Sequence, residues 1–206
     1  MCVIIHQPST SRQVSFKEFQ NSWNSNPDGF GLMYADNGVV HTIKSMTMMD
    51  SWEKYESISS IWTDIVLHFR FATHWTTNLT NTHPFPCGNG KYLVHNGVLG
   101  YESDDKDKLD FSDTRLLAET LSKYQGEWLD DPVMMHMVES VCTWDKILVM
   151  DTKWEVHYFG CDGLMSKDKE LWASNGAPFG LDEDEIKWAK DNCLDMGIPY
   201  VESEWF

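Results

Sequence analysis

Positive charge is scarce in this chain: 16 lysines and arginines stand against 32 aspartates and glutamates, a formal net charge of −16. Such a surface repels phosphate backbones and anionic lipid, which disfavours nucleic acid and membranes as partners. Long apolar runs are missing too, and nothing approaches the length of a membrane span. Paired cysteines are absent. The five present (Cys2, Cys87, Cys142, Cys161 and Cys193) are odd in number and widely spaced, with no C-x-x-C, which argues against a disulfide framework or a zinc knuckle. The first residues lack the basic segment, apolar core and small-residue cleavage site of a secretory signal. These gaps together predict a cytoplasmic protein with mostly reduced, structural cysteines. No repeat, low-complexity block or Pro/Gly/Ser linker interrupts the 206 residues, so one domain over 1–206 is expected. His68, His74, His83 and His95 match no standard ligand spacing, and no metal or cofactor is expected. The acidic stretch 102–110 lacks the turn glycine and closing glutamate of a calcium loop and reads as a solvated loop.

What is present is material for a core: 42% hydrophobic residues, with 10 tryptophans and 10 phenylalanines. "CVII" at 2–5 reads as a buried first strand. In "SFKEFQNSW", Ser15 and Glu18 have capping-box spacing, and Phe16, Phe19, Gln20 and Trp23 fall at helical intervals. "FGLMYA" and "VVHTIK" flank Asp36-Asn37-Gly38 and predict a hairpin. A second helix is expected over "MMDSWEKYESIS", and "DIVLHFRFA" at 64–72 is the clearest strand. Residues 74–90, rich in Thr, Asn, Pro and Gly, read as a binding loop. Further strands are expected at "KYLVHNG", "KILVMD", "WEVHYF" and "LWASN", and helices at "SDTRLLAETLSKY", at "DPVMMHMVESV" and from about Asp182. Strands and helices come in blocks without a βαβ rhythm, which predicts an α+β fold with sheets flanked by helices. Trp23, Trp52 and Trp62 are expected in the core.

Cys2 admits two readings. It packs well as a small apolar residue in a first strand; if Met1 is removed, it becomes an N-terminal thiol beside a free α-amine, a nucleophile carrying its own base. The choice depends on other strings: "NPDGFG" (26–31), "HFRFATHW" (68–75), "NTHPF" (81–85), "LVHNG" (93–97) and "SDT" (112–114). In this order behind Cys2 they resemble the class II glutamine amidotransferase domain of the N-terminal nucleophile hydrolases. By motif the resemblance runs from Cys2 to about Asp113; beyond residue 114 it rests on compatible element order, and "WASN" at 172–175 is a weak match to which no role is carried. The resemblance implies a four-layer αββα sandwich. It also implies Cys2 as nucleophile, with the Asn96 side-chain amide and the Gly97 backbone N–H holding the oxyanion. Arg70 would grip the α-carboxylate of glutamine with paired hydrogen bonds and Asp113 its α-ammonium, while Thr73 and His74 line the pocket. His95 is not expected to be catalytic. One departure stands out: the residue after Ala72-Thr73-His74, often glycine in the sugar-phosphate synthases, is Trp75 here.

These residues also have simpler uses. Arg70 could form a surface ion pair, Asp113 favours a helix N-terminus, and Asn-Gly is an ordinary turn. The expected function is release of ammonia from glutamine through a γ-glutamyl thioester. A separate synthetase subunit is a candidate acceptor of that ammonia, since no synthase domain is evident in the sequence. A binding protein that keeps the scaffold without turnover, and an N-terminal-nucleophile amidase for another amide, are the alternatives.

Overall fold

The computed structural model describes residues 2–73, 75–100, 103–142, 145–160 and 163–181. In chain order the strands and α-helices are β1 (Val3–Gln7), α1 (Phe16–Ser25), β2 (Phe30–Asp36), β3 (Val39–Ser45), α2 (Met48–Glu56), β4 (Ile65–Phe69), β5 (Phe85–Pro86), β6 (Tyr92–Asn96), α3 (Asp113–Ser122), α4 (Pro132–Val141), β7 (Lys146–Met150), β8 (Val156–Phe159), β9 (Leu164–Met165) and β10 (Trp172–Ala173). The helix expected from Asp182 lies outside the described residues, as do Cys161 and Cys193.

The helix starts follow local chemistry. Ser15 and Glu18 form the capping box at α1, each side chain serving the other's backbone N–H. Ser112 accepts from the Arg115 N–H at α3, and Asp131 accepts from Val133 and Met134 at α4, where Pro132 opens the first turn.

Two antiparallel sheets stack face to face. One runs β3-β2-β4-β1-β10-β9, the other β5-β6-β7-β8. Strand alternation assigns each residue to a layer. On β1, Val3 and Ile5 face α1 and α2 in a cluster with Phe19, Phe30, Tyr55 and Leu67. Ile4 faces the other way, joining Met33, Val66, Val94, Leu148 and Trp172 between the sheets. Beyond the second sheet, Leu93, Ile147 and Val149 pack with Ala118 and Leu121 of α3 and Val138 of α4. The result is the four-layer αββα sandwich. Strands buried on both faces need apolar residues throughout, which is why "VII" and "IVL" run without alternation. Trp23 and Trp52 do pack against the first cluster. Trp62 corrects the expectation: at 89% exposure it lies outside the core, in the turn before β4.

Polar contacts tie the layers. His6, at the far end of β1, bonds Tyr158 of β8 in the second sheet through Nδ1 and Asp64 through Nε2, the latter at 3.0 Å. Near the other end of the sheets, "NPDGFG" meets "NTHPF". A Cβ on Gly29 would lie 2.5 Å from the Thr82 hydroxyl, and one on Gly31 only 1.8 Å from the His83 carbonyl oxygen. Backbone cannot retreat as a side-chain tip can, so Gly31→Ala is expected to cost about 2 kcal/mol or more, read as a lower urea midpoint with unchanged m-value.

Candidate active site

The site is built at the head of β1, starting from strand register. In the β1–β4 ladder Val3 lies opposite Phe69; one rung further, Cys2 falls opposite Arg70, where side chains share a face. The Phe71 N–H reaches the Cys2 sulfur at 3.5 Å. Beyond β10, the Asn175 side chain donates to the Cys2 carbonyl at 3.0 Å. Ser174 bonds Ile4 twice: its Oγ accepts the Ile4 N–H at 2.9 Å, and its own N–H donates to the Ile4 carbonyl, also at 2.9 Å. "WASN", which carried no role in the sequence, is therefore a clamp on the start of β1. No local signal could have revealed it, because the partners lie about 170 residues apart.

Above this strand head is a narrow cleft of about 40 Å³, room for roughly three waters. Cys2, Arg70, Thr73, Gly97 and Asp113 all line it, with Trp75 in the wall. His74 lies outside the described residues. The partly exposed Cys2 thiol is pushed above its ordinary pKa by burial, against the lowering effects of the Phe71 hydrogen bond, the N-terminal charge and Arg70. Arg70 is 4% exposed, with its Nη1 donating to the Thr76 carbonyl at 3.3 Å. Asp110 accepts from the backbone and hydroxyl of Thr76, fixing the same loop; in this respect the acidic stretch is more than a solvated loop. Asp113 is also 4% exposed. Its carboxylate accepts from Leu99 N–H at 2.7 Å and Thr114 N–H at 2.6 Å, so it orients the loop after β6 as well as opening α3.

Asn96 and Gly97 separate in their surroundings. Gly97 faces the cleft, and the Asp145 carboxylate occupies the space a Cβ would need, 1.9 Å from it. Asn96 is buried just before it; its Nδ2 donates to Ser174 Oγ at 2.9 Å, and its Oδ1 has no hydrogen-bond partner.

His83 and His95 line the cleft, and His68 packs against them. His68 donates from Nε2 to the His95 carbonyl at 3.0 Å, its ring lies 4.0 Å from that of His83, and His95 Nδ1 meets the Thr114 hydroxyl at 2.8 Å. Burial pushes His68 down to about 3 and His83 well below its ordinary range, so both are neutral at physiological pH. Among the described residues one group, Asp151, Glu155 and His157, gathers three metal-ligand-type atoms. It lies at the β7–β8 turn, where Asp151 already accepts from the Lys153 and Glu155 N–H groups.

Trp75 has φ of 62°, in the left-handed region that favours glycine. It is the position that the resemblance associates with glycine, and here a tryptophan adopts that backbone conformation.

Two outcomes are expected. A raised thiol pKa means less thiolate at neutral pH, so iodoacetamide should label Cys2 more slowly than a free cysteine, with a rate still climbing above pH about 8.5. Arg70→Gln should slow it further. Buried Cys87 and Cys142, each pushed up to about 12 by burial, should stay unlabelled, as read by peptide mapping. Trp75→Gly should change stability by less than about 1 kcal/mol in urea titration, because relief of left-handed strain offsets lost packing.

No protein-family profile matches the chain. An uncharacterized protein of Methanocaldococcus jannaschii is 25% identical over 170 residues, covering 77% of this chain and 45% of its own length. Among solved structures, the glutamine phosphoribosylpyrophosphate amidotransferase of B. subtilis, complexed with ADP and GMP, superposes with a TM-score of 0.54 at 15% identity, over 87% of this chain and 43% of that one. A structure described as the allosteric regulatory enzyme of purine biosynthesis gives a TM-score of 0.53 at 16% identity, over 87% and 43%. The chain thus spans less than half the length of each of these proteins. At these identities the likeness is one of fold, and the fold is the αββα sandwich of the N-terminal nucleophile hydrolases, in the form found in glutamine amidotransferases.

Proposed function

We propose that this chain, once Met1 is removed, hydrolyses the side-chain amide of glutamine through a Cys2 thioester. The observation that carries this reading is a convergence: thiol, guanidinium and carboxylate, on Cys2, Arg70 and Asp113, line one narrow cleft. A free amino acid carries opposite charges at its α-carbon, and a cleft offering one cation and one anion matches both. Arg70 binds the carboxylate in the parallel two-bond geometry that lysine cannot supply. Asp113 keeps lone pairs for the ammonium beyond those given to Leu99 and Thr114. Thr73 lines the same cleft, and a pocket role for His74 rests on the resemblance alone.

The chemistry starts from a protonated thiol. The free α-amine of Cys2, with a reference pKa of about 7.7 to 8.0, is neutral in a useful fraction near pH 7.5 and takes the proton. Sulfur then bonds to the amide carbon, and the electron pair moves to oxygen, which Gly97 N–H and Asn96 receive. As the tetrahedral adduct collapses, the C–N bond breaks and the ammonium form of the base returns its proton to the leaving nitrogen, releasing ammonia. Water attacks the γ-glutamyl thioester with the same amine as base, giving glutamate and the thiol. No cofactor enters these steps. The amidotransferases that share the fold suggest an acceptor for the ammonia, here a separate synthetase subunit, and the acidic surface suits a cytoplasmic protein.

The test is incubation of the Met1-free protein, verified by intact mass, with glutamine while following glutamate and ammonia. Parent protein should release both in equal amounts, and Cys2→Ala should lose about 10³-fold or more with its circular dichroism unchanged. Arg70→Gln and Asp113→Asn should raise KM on the order of 10- to 100-fold, the worth of a charged hydrogen bond. No ammonia from glutamine, or full activity in Cys2→Ala, overturns the reading. Asparagine and simple acyl amides in the same assay separate a glutaminase from an amidase of other specificity.

A further inference from the structure

Ser174 and Asn96 share a hydrogen bond whose polarity has a consequence for the oxyanion. The Ser174 hydroxyl oxygen accepts from Ile4 N–H at 2.9 Å and faces Asn96 Nδ2 at 2.9 Å, in a site where Ser174 and Asn96 are each 3% exposed. With the carboxamide turned this way, two groups go unsatisfied. Asn96 Oδ1 is buried with no partner, and the Ser174 hydroxyl hydrogen, facing two donors, has no acceptor among the described residues. Each unmet buried group costs about 1–3 kcal/mol. A half-turn of the carboxamide exchanges the positions of oxygen and nitrogen. The Ser174 O–H then donates to Asn96 Oδ1 while Oγ still accepts from Ile4, so both partners are served. What remains is a buried NH₂, held in place and lacking an acceptor.

That remainder is what an oxyanion site needs: a fixed donor without a ground-state partner. We propose that Ser174 is a positioning residue for glutamine hydrolysis, turning the Asn96 carboxamide so that its NH₂ is reserved for the oxyanion formed at Cys2. The inference rests on the glutaminase reading above. Ser174 suits the task because its backbone and hydroxyl both hold Ile4, two residues from the thiol. The strand that carries the nucleophile and the amide that meets the developing charge are thereby set by one side chain.

A double-mutant cycle in the Met1-free chain tests this, with kcat and KM for glutamine measured for Ser174→Ala, Asn96→Ala and the pair. Asn96→Ala should lower kcat on the order of 100-fold, and Ser174→Ala about tenfold or more with KM within about twofold. The pair should be no slower than Asn96→Ala alone, since the hydroxyl acts only through the amide. A hydroxyl that merely braced β1 would give multiplicative losses and a changed KM, and that result overturns the proposal, as does an unchanged kcat in Ser174→Ala. Should Ser174→Ala fail to fold, Ser174→Cys is the closest single-atom change and substitutes a weak donor; it should lower kcat severalfold with KM little changed, and full activity there is equally decisive against the idea. Distinguishing the two levels is direct: an inactive parent chain sinks the glutaminase reading together with this one, whereas an active parent with additive variants sinks only the role of Ser174.

Discussion

The backbone of β1 is hydrogen-bonded along both edges, to β4 over its whole length and to β10 near its middle, and its side chains are buried on both faces. Everything at the cleft depends on that strand, because Cys2 is its first neighbour and inherits its position. The Asn175 side chain holds the Cys2 carbonyl, Ser174 holds Ile4, and register delivers Arg70 to the opposite rung. The same enclosure works against ionisation: burial raises the thiol pKa, and Arg70 opposes the rise without abolishing it. In the proposed chemistry a base attached to the nucleophile's own α-carbon resolves the conflict, since it needs no bulk water and cannot drift away.

The motif strings of the sequence divide into two kinds of work. Arg70, Thr73, Gly97 and Asp113 bring polar groups to the cleft, whereas His83 and His95 line it as buried rings with His68 packed against His83. Gly29 and Gly31 are glycine because the chain around Thr82 and His83 passes over them closely. A motif can therefore be read for a site and turn out to be largely the packing that supports it. Here the two are joined physically: the His68 to His95 carbonyl bond links β4, which precedes Arg70, to β6, which ends at Asn96.

What was legible in the sequence was local. The Ser15 and Glu18 capping box, the Asp36-Asn37-Gly38 hairpin and the Ser112 cap are fixed by neighbours a few residues away, and each formed as the residues indicate. Two of the shortest strands were not legible: β5 and β9 are two residues long and owe their existence to pairing with β6 and β10, whereas β10, equally short, formed where "LWASN" was expected. Trp62 misled because a large apolar residue beside a helix resembles core, although in a turn nothing need cover it. For the site, Cys2, Arg70, Thr73, Gly97 and Asp113 were suggested by resemblance and the fold gathers them, while Asn96, next to Gly97 in the chain, is buried and bonded to Ser174. Hydrogen-bond polarity between two buried side chains leaves no trace in spacing or composition. The glycine-like backbone at Trp75 was equally invisible, since only φ reveals it.

The latch at the other end of β1, where His6 reaches Asp64 and Tyr158, gives the strand a second anchorage far from the cleft. A beam pinned at both ends transmits little of what happens above it. The segments carrying Trp75 and Val98 can accordingly be exchanged, lengthened or reshaped over generations while the sulfur stays where it is, so the walls of the cleft are free to change without moving the residue at its base.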